Sequence, residues 1–204
     1  DLRRITQENG VLLIFDEVQT FRHSYGGAQE LCGVVPEMTT FAKLRGGGFP
    51  VGAIGGTKEI MAVFDSSSGK ARLPHAGTFN GNPVTMAAGI ATLKQLTREK
   101  FFTLNELTEN LRGELSDLMQ RYRYKGSVTG EASFFKIHFT DEEVYDYRTA
   151  MKGVDKAEQA KLFYHFLTRG IFLESQIRGN LSTAMGQREI DSLLNAFEEY
   201  LKMQ

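Results

Sequence analysis

Two side chains in the first quarter of the sequence could do chemistry together. The stretch LLIFDEVQT (12–20) runs four apolar residues into two adjacent acids, Asp16 and Glu17. Further on, TTFAKLRGGGFPVGAIGG (39–56) sets Lys43 shortly before Gly46, Gly47 and Gly48. A short apolar run bounded by turn residues predicts a fully buried strand over 11–16. In α/β sheets ligands sit beyond the carboxyl ends of strands, so an acid there can meet a cationic group of a ligand. A lysine in a partly desolvated pocket gives up its proton more readily, which frees an amine to condense with a carbonyl. The three glycines allow a sharp turn and close approach of the backbone.

Several common chemistries are absent from the sequence. The four histidines (23, 75, 138 and 165) are scattered and the single cysteine, Cys32, has no partner, so no zinc-ligand spacing and no metal site is expected. The glycines form neither a G-x-x-x-x-G-K-[ST] loop nor a G-x-G-x-x-G fingerprint, and no G-x-S-x-G elbow occurs. An acid and a lysine remain. These are the two protein groups that a pyridoxal phosphate enzyme requires, one on the pyridinium nitrogen and one for the imine.

The bulk numbers describe an ordinary globular chain of 204 residues, 41% hydrophobic and 24% charged. A formal net charge of -1 offers no electrostatic reason to expect nucleic acid or an anionic membrane as partner. No apolar run approaches the roughly 20 residues of a membrane helix. The lone cysteine fits a reducing cytoplasm, which is the expected location. The chain opens inside a helix-like pattern, Leu2 and Ile5 before Asn9-Gly10, and is expected to be the C-terminal part of something longer.

The elements that must position Asp16 and Lys43 follow from pattern. Short helices are predicted over 27–32 and after Thr57, with a strand near 51–55. A long polar loop, DSSSGKARLPHAGTFNGN, follows, and then a helix over 83–97 with Asn82 as N-cap and Pro83 in the first turn. Leu104, Leu107, Leu111, Leu115 and Leu118 mark one apolar face of a long helix. ASFFKIHF (132–139) alternates like a strand, IFLES and NLSTAM are strand-like, and 155–169 and 187–203 read as amphipathic helices. A domain boundary is expected near 97, with 1–97 and 98–204 on either side.

LLIFDEVQT, TTFAKLRGGGFPVGAIGG and HAGTFNGNPVTMAAGIATL resemble, in order and spacing, consecutive blocks of the class III aminotransferases of pyridoxal phosphate fold type I. The likeness is to the glutamate-1-semialdehyde aminomutase and β-amino-acid aminotransferase branches, and it runs over the whole chain. It implies an α/β fold, in which 1–97 complete the large cofactor-binding domain and 98–204 form the small C-terminal domain. It also implies that the family's N-terminal half, with the phosphate-binding turn and the ring-stacking aromatic, is missing here. Carried over by residue, it makes Lys43 the lysine of the internal aldimine and the acid–base in the proton shift. Asp16 would pair with the protonated pyridine nitrogen, Val18 would pack on the ring, and Gln19 would reach its 3-hydroxyl. Thr78 would hydrogen-bond the phosphate from the neighbouring subunit, so that a homodimer completes the site.

Taken singly, each of these residues has an ordinary alternative: Asp16 a loop acid or cap, Lys43 and Gln19 solvated surface, Val18 core, Thr78 a turn former. The joint pattern favours the chemical role. SQIRGNLSTAM (175–185) is similar to the block in which β-amino-acid aminotransferases place an arginine for the substrate carboxylate, and Arg178 stands there. Arg45 is expected to face solvent. The chain reads DEVQTFRH where most of the class has D-E-V-x-T-G-F-R, one glycine shorter, as the β-amino-acid branch does, whereas YGGAQE is similar to the aminomutases. The expected activity is amino transfer from an amino acid, α or β, to a 2-oxo acid. The alternatives are an intramolecular aminomutase and a non-catalytic domain that keeps the fold.

Overall fold

The β-branched and aromatic residues around IFD and MTTFA favour extended backbone, and in the computed structural model, which describes residues 1–204, both segments are strands. The chain divides into two units, Asp1–Phe101 and Phe102–Gln204. The first opens with α1 (Leu2–Glu8), closed by Asn9 and by Gly10 at φ 64°. There follow β1 (Ile14–Asp16), α2 (Ala28–Cys32), β2 (Met38–Ala42), β3 (Gly52–Gly56) and α3 (Lys58–Met61). After the polar loop comes α4 (Pro83–Gln95). Asn82 Oδ1 starts α4 by accepting the Val84 and Thr85 N–H groups at 3.0 and 3.2 Å, and Pro83 occupies a position where no N–H is needed.

The three strands lie in the order β1-β2-β3. β1 and β2 are parallel, with Asp16 opposite Thr40, and β3 returns antiparallel to β2. Both parallel strands therefore end at the same edge of the sheet, Asp16 closing one and Lys43 following the other. The fully buried strand expected over 11–16 is not found. The strand is three residues long, and Leu12 and Ile14 are 56% and 53% exposed. The physical reason is that only one face is covered: Leu12, Ile14 and Asp16 share the open face, whereas Leu13 and Glu17 on the other are buried.

The second unit continues α5 (Arg98–Arg121), then adds β4 (Ser127–Thr129), β5 (Phe134–His138), α6 (Tyr147–Lys152), α7 (Lys156–Leu167), β6 (Arg178–Asn180) and α8 (Gln187–Leu201). Its strands form an antiparallel sheet in the order β4-β5-β6. The predicted leucine face of α5 is inside: Leu104, Leu111, Leu115 and Leu118 pack with Phe135, Ile137, Leu162, Phe166, Ile190 and Phe197 in one cluster, with Leu107 at its margin. Each such side chain contributes about 1.5–3 kcal/mol by leaving water. IFLES forms no regular strand, only an isolated bridge from Glu174 to Arg178, and the short elements α6 and β4 carry no strong periodicity. No helix is long and apolar enough to cross a membrane.

His138, at the end of β5, is buried and shares a 2.9 Å hydrogen bond between Nε2 and Thr129 Oγ1. Burial, aided by the charge of Lys136, pushes its imidazole down to about 4 from an ordinary 6.5. Below pH 6.5 the unfolded chain takes up a proton that the folded unit refuses. Stability is therefore full above about pH 6.5 and falls as the pH drops to about 4, by an expected total of about 3 kcal/mol. Urea unfolding across that range should show the slope, and His138→Gln should remove most of it.

Candidate active site

Successive side chains of a strand point to opposite faces, and the acid pair at the end of β1 uses both. Glu17 turns inward and is 1% exposed. Its carboxylate accepts the Ala28 and Gln29 N–H groups at 3.0 and 2.8 Å and the Thr20 hydroxyl at 2.6 Å, so it anchors the start of α2. Asp16 turns outward and is exposed. Its Oδ1 accepts the Val18 N–H and the Thr40 hydroxyl, both at 3.0 Å, which fixes the carboxylate in direction and leaves Oδ2 without a protein partner.

Lys43 begins a 3-10 turn, Lys43–Gly46, directly after β2. Its backbone lies in the left-handed region at φ 50°, an uncommon state for a residue with a side chain. Its ammonium makes no hydrogen bond or ion pair. From the register, with a rise of about 3.3 Å per residue and a strand spacing of about 4.8 Å, the Asp16 and Lys43 Cα atoms lie roughly 11 Å apart. The residues that carry the carboxylate and the amine thus stand at one end of the sheet.

The lysine turn is pressed against α4 at two glycines. A Cβ at Gly47 would lie 2.3 Å from the Ala88 carbonyl oxygen, and one at Gly89 would lie 2.2 Å from the Arg45 carbonyl oxygen. Neither position has space for a methyl group, and Gly47 is itself at φ 58°.

Arg45 corrects its expectation. It is half-buried, and its guanidinium carbon sits 3.8 Å from the centroid of Phe21 and 3.7 Å from that of Phe41. Desolvation pulls its pKa down, opposed by the charge of Glu17. Val18 is half-buried and Gln19 exposed at the start of the next turn. Thr78 is exposed in the turn before α4, between residues whose backbone bonds run from Asn80 N–H to Gly77 O and from Asn82 N–H to Phe79 O; its hydroxyl has no partner. The next residue, Phe79, is 81% exposed.

Arg178 belongs to the second unit, at the start of β6. It follows Ile177, a β-branched residue at φ 55° whose side chain is fully buried. That packed, strained residue sets the direction of Arg178, whose fork is held by Glu174 through Nε–Oε2 at 3.0 Å and Nη2–Oε1 at 2.9 Å. Both line a cavity of about 630 Å³ with Phe135, Leu173 and Met185. Sequence reasoning missed Thr40, the Arg45 slot and Gly89. Reading MTTFA as a strand parallel to β1 would have found Thr40, whereas the other two are contacts between distant segments.

The first unit, with its exposed acid and free lysine at one sheet edge, and the small antiparallel second unit each have solved counterparts. An omega-transaminase from Sphaerobacter thermophilus is 41% identical, with a TM-score of 0.92 over 98% of this chain and 46% of that one. A β-phenylalanine aminotransferase from Variovorax paradoxus is 35% identical, with a TM-score of 0.91 over 98% of this chain and 46% of that one. The fold is that of the fold type I pyridoxal-phosphate-dependent transferases, in the part these residues span. The aminotransferase class-III family matches residues 1–200, and the chain belongs to that family. Among curated relatives, the glutamate-1-semialdehyde 2,1-aminomutase of Methanosphaera stadtmanae is 43% identical over 200 residues, 97% of this chain and 46% of the relative. The chain spans about half the length of the curated relatives it matches.

Proposed function

We propose that the protein bearing this chain uses pyridoxal phosphate to move an amino group from an amino acid, α or β, to a 2-oxo acid. The observation that carries the proposal is the pairing of an oriented, half-free carboxylate, Asp16, with an unpartnered lysine, Lys43, at one sheet edge. These residues fit the cofactor: Asp16 Oδ2 is open to a protonated ring nitrogen, and the Lys43 amine is open to an aldehyde carbon. Bound pyridoxal phosphate supplies a cationic ring that withdraws electrons from the carbon bearing the amino group.

Asp16 would hold the proton on the ring nitrogen, and Thr40 and Val18 hold Asp16. Lys43 Nζ would hold the cofactor between turnovers and, once freed, would take the proton from the substrate carbon and return it. Val18 would pack beside the ring, and Gln19 would be the residue that reaches its hydroxyl. The free Thr78 hydroxyl would hold the cofactor phosphate of a neighbouring subunit in a homodimer. Arg178 takes the substrate carboxylate when Glu174 gives it up, a bidentate exchange that its fork suits.

A second reading, an aminomutase acting within one molecule, is supported by the 43% identity to an archaeal enzyme of that name. It uses the same Asp16 and Lys43. Product analysis of the full-length protein with and without an added 2-oxo acid separates the two. Strict dependence on the acceptor is expected for the transaminase, and turnover of an amino aldehyde without it would overturn that assignment in favour of the mutase.

A further inference from the structure

Arg45 is a half-buried cation that the chemistry above does not use. Its guanidinium sits against two aromatic rings, Phe21 from the turn after β1 and Phe41 from β2, which themselves meet edge to face at 5.6 Å. Its Nε is buried and has no hydrogen-bond partner. Its backbone carbonyl is the atom packed against Gly89 of α4. A charge desolvated in this way serves packing less well than an apolar side chain of similar size. What a planar cation adds is direction, since it lies within 4 Å of both ring centroids at once, in the corner that the two rings make.

We propose that Arg45 is a positioning residue for Lys43, clamping the turn that presents the amine and tying it to the strand end that presents Asp16. The assignment rests on the reading of Lys43 given above. Lys43 lies midway between residues 41 and 45, whose side chains are locked to each other across it. A left-handed backbone at a non-glycine residue persists only where its surroundings over-determine it. Here they do so on three sides: Phe41 on the strand entering the turn, Gly89 of α4 beneath it, and Phe21 on the segment leaving β1. Glu17, next to Asp16 in the chain and bonded to α2, attracts the same cation from the β1 side. Held against both rings with its Nε buried, the guanidinium is poorly placed to bind a substrate carboxylate.

The test uses the full-length holoenzyme with Arg45→Lys, which keeps the charge without the plane, Arg45→Ala, and Phe21→Leu, which removes one wall of the slot. Misplacing a reacting group by about 1 Å costs up to about 100-fold, so kcat should fall about tenfold in Arg45→Lys and Phe21→Leu and about 100-fold in Arg45→Ala. KM for the amino donor should change by less than about twofold, since the clamp acts on the amine and not on substrate binding. Independently of turnover, acetic anhydride labelling of the apoprotein, read by mass spectrometry, should show the Lys43 rate changed by at least about threefold while exposed Lys58 and Lys94 keep theirs.

A kcat within about twofold of wild type together with an unchanged Lys43 labelling rate would overturn the proposal. So would an effect confined to KM, which would make Arg45 a substrate contact. If Arg45→Ala does not accumulate as folded protein, Arg45→Lys and Phe21→Leu decide the matter. Failure of the underlying reading looks different: borohydride reduction of the wild-type holoenzyme would then fix the cofactor to a lysine other than Lys43.

Discussion

Replacing Lys43 by alanine is expected to lower turnover by about 10⁴-fold or more, because the same amine both carries the cofactor and moves the proton. The structure gives the substitution no competing route to that loss. The lysine is exposed and makes no hydrogen bond or ion pair, so the fold loses no polar contact when its side chain is removed. Thermal unfolding of the full-length variant should therefore match wild type within a few degrees while kcat disappears. A small primary amine added in solution should return part of the rate, since it can replace the proton-transfer role though not the tether. Retention of more than about a tenth of wild-type kcat would mean that another residue does the chemistry.

The second large effect is at Asp16, and its neighbour supplies the control. Asp16→Ala should weaken cofactor binding and reduce kcat by about 100-fold or more, because the ring then lacks a fixed anion at its nitrogen. Its cost in stability should be about 1 kcal/mol, the worth of two exposed hydrogen bonds. Glu17→Ala should show the reverse balance. Removing a carboxylate that is 1% exposed leaves the Ala28 and Gln29 N–H groups and the Thr20 hydroxyl unpaired, which costs about 3 kcal/mol or more. Urea unfolding and spectroscopic titration of the cofactor, run side by side on the two variants, give the comparison. If Asp16→Ala binds the cofactor and turns over normally, the pairing with the ring nitrogen is wrong.

This contrast shows what the sequence could and could not reveal. That an acid closes the first strand and a lysine follows the next was legible, because both depend on local pattern and chain order. Which acid of the pair faces solvent depended on strand parity and on the later arrival of α2 above Glu17. The long α5, its leucine face and α8 were legible because 3.6-residue periodicity sustained over 15 to 24 residues is a strong signal. The exposure of Leu12 and Ile14 was not, since an apolar run reads as buried whether or not a neighbour covers it. Arg45 was misjudged for a related reason: its charge predicts solvent, and only the meeting of Phe21 and Phe41 makes a slot for it. Ile177 likewise looks like an ordinary strand residue until its left-handed backbone is seen.

The positive φ of Lys43 has a consequence for how such a chain would change over time. A side chain in that conformation is disfavoured by about 1–2 kcal/mol relative to glycine, so Lys43→Gly should be more robust to denaturant than Lys43→Ala and slightly more than the natural protein. Genetic drift in a copy relieved of its chemical duty would therefore run downhill at this position, towards glycine or asparagine. The amine stands where conformational economy alone would have erased it.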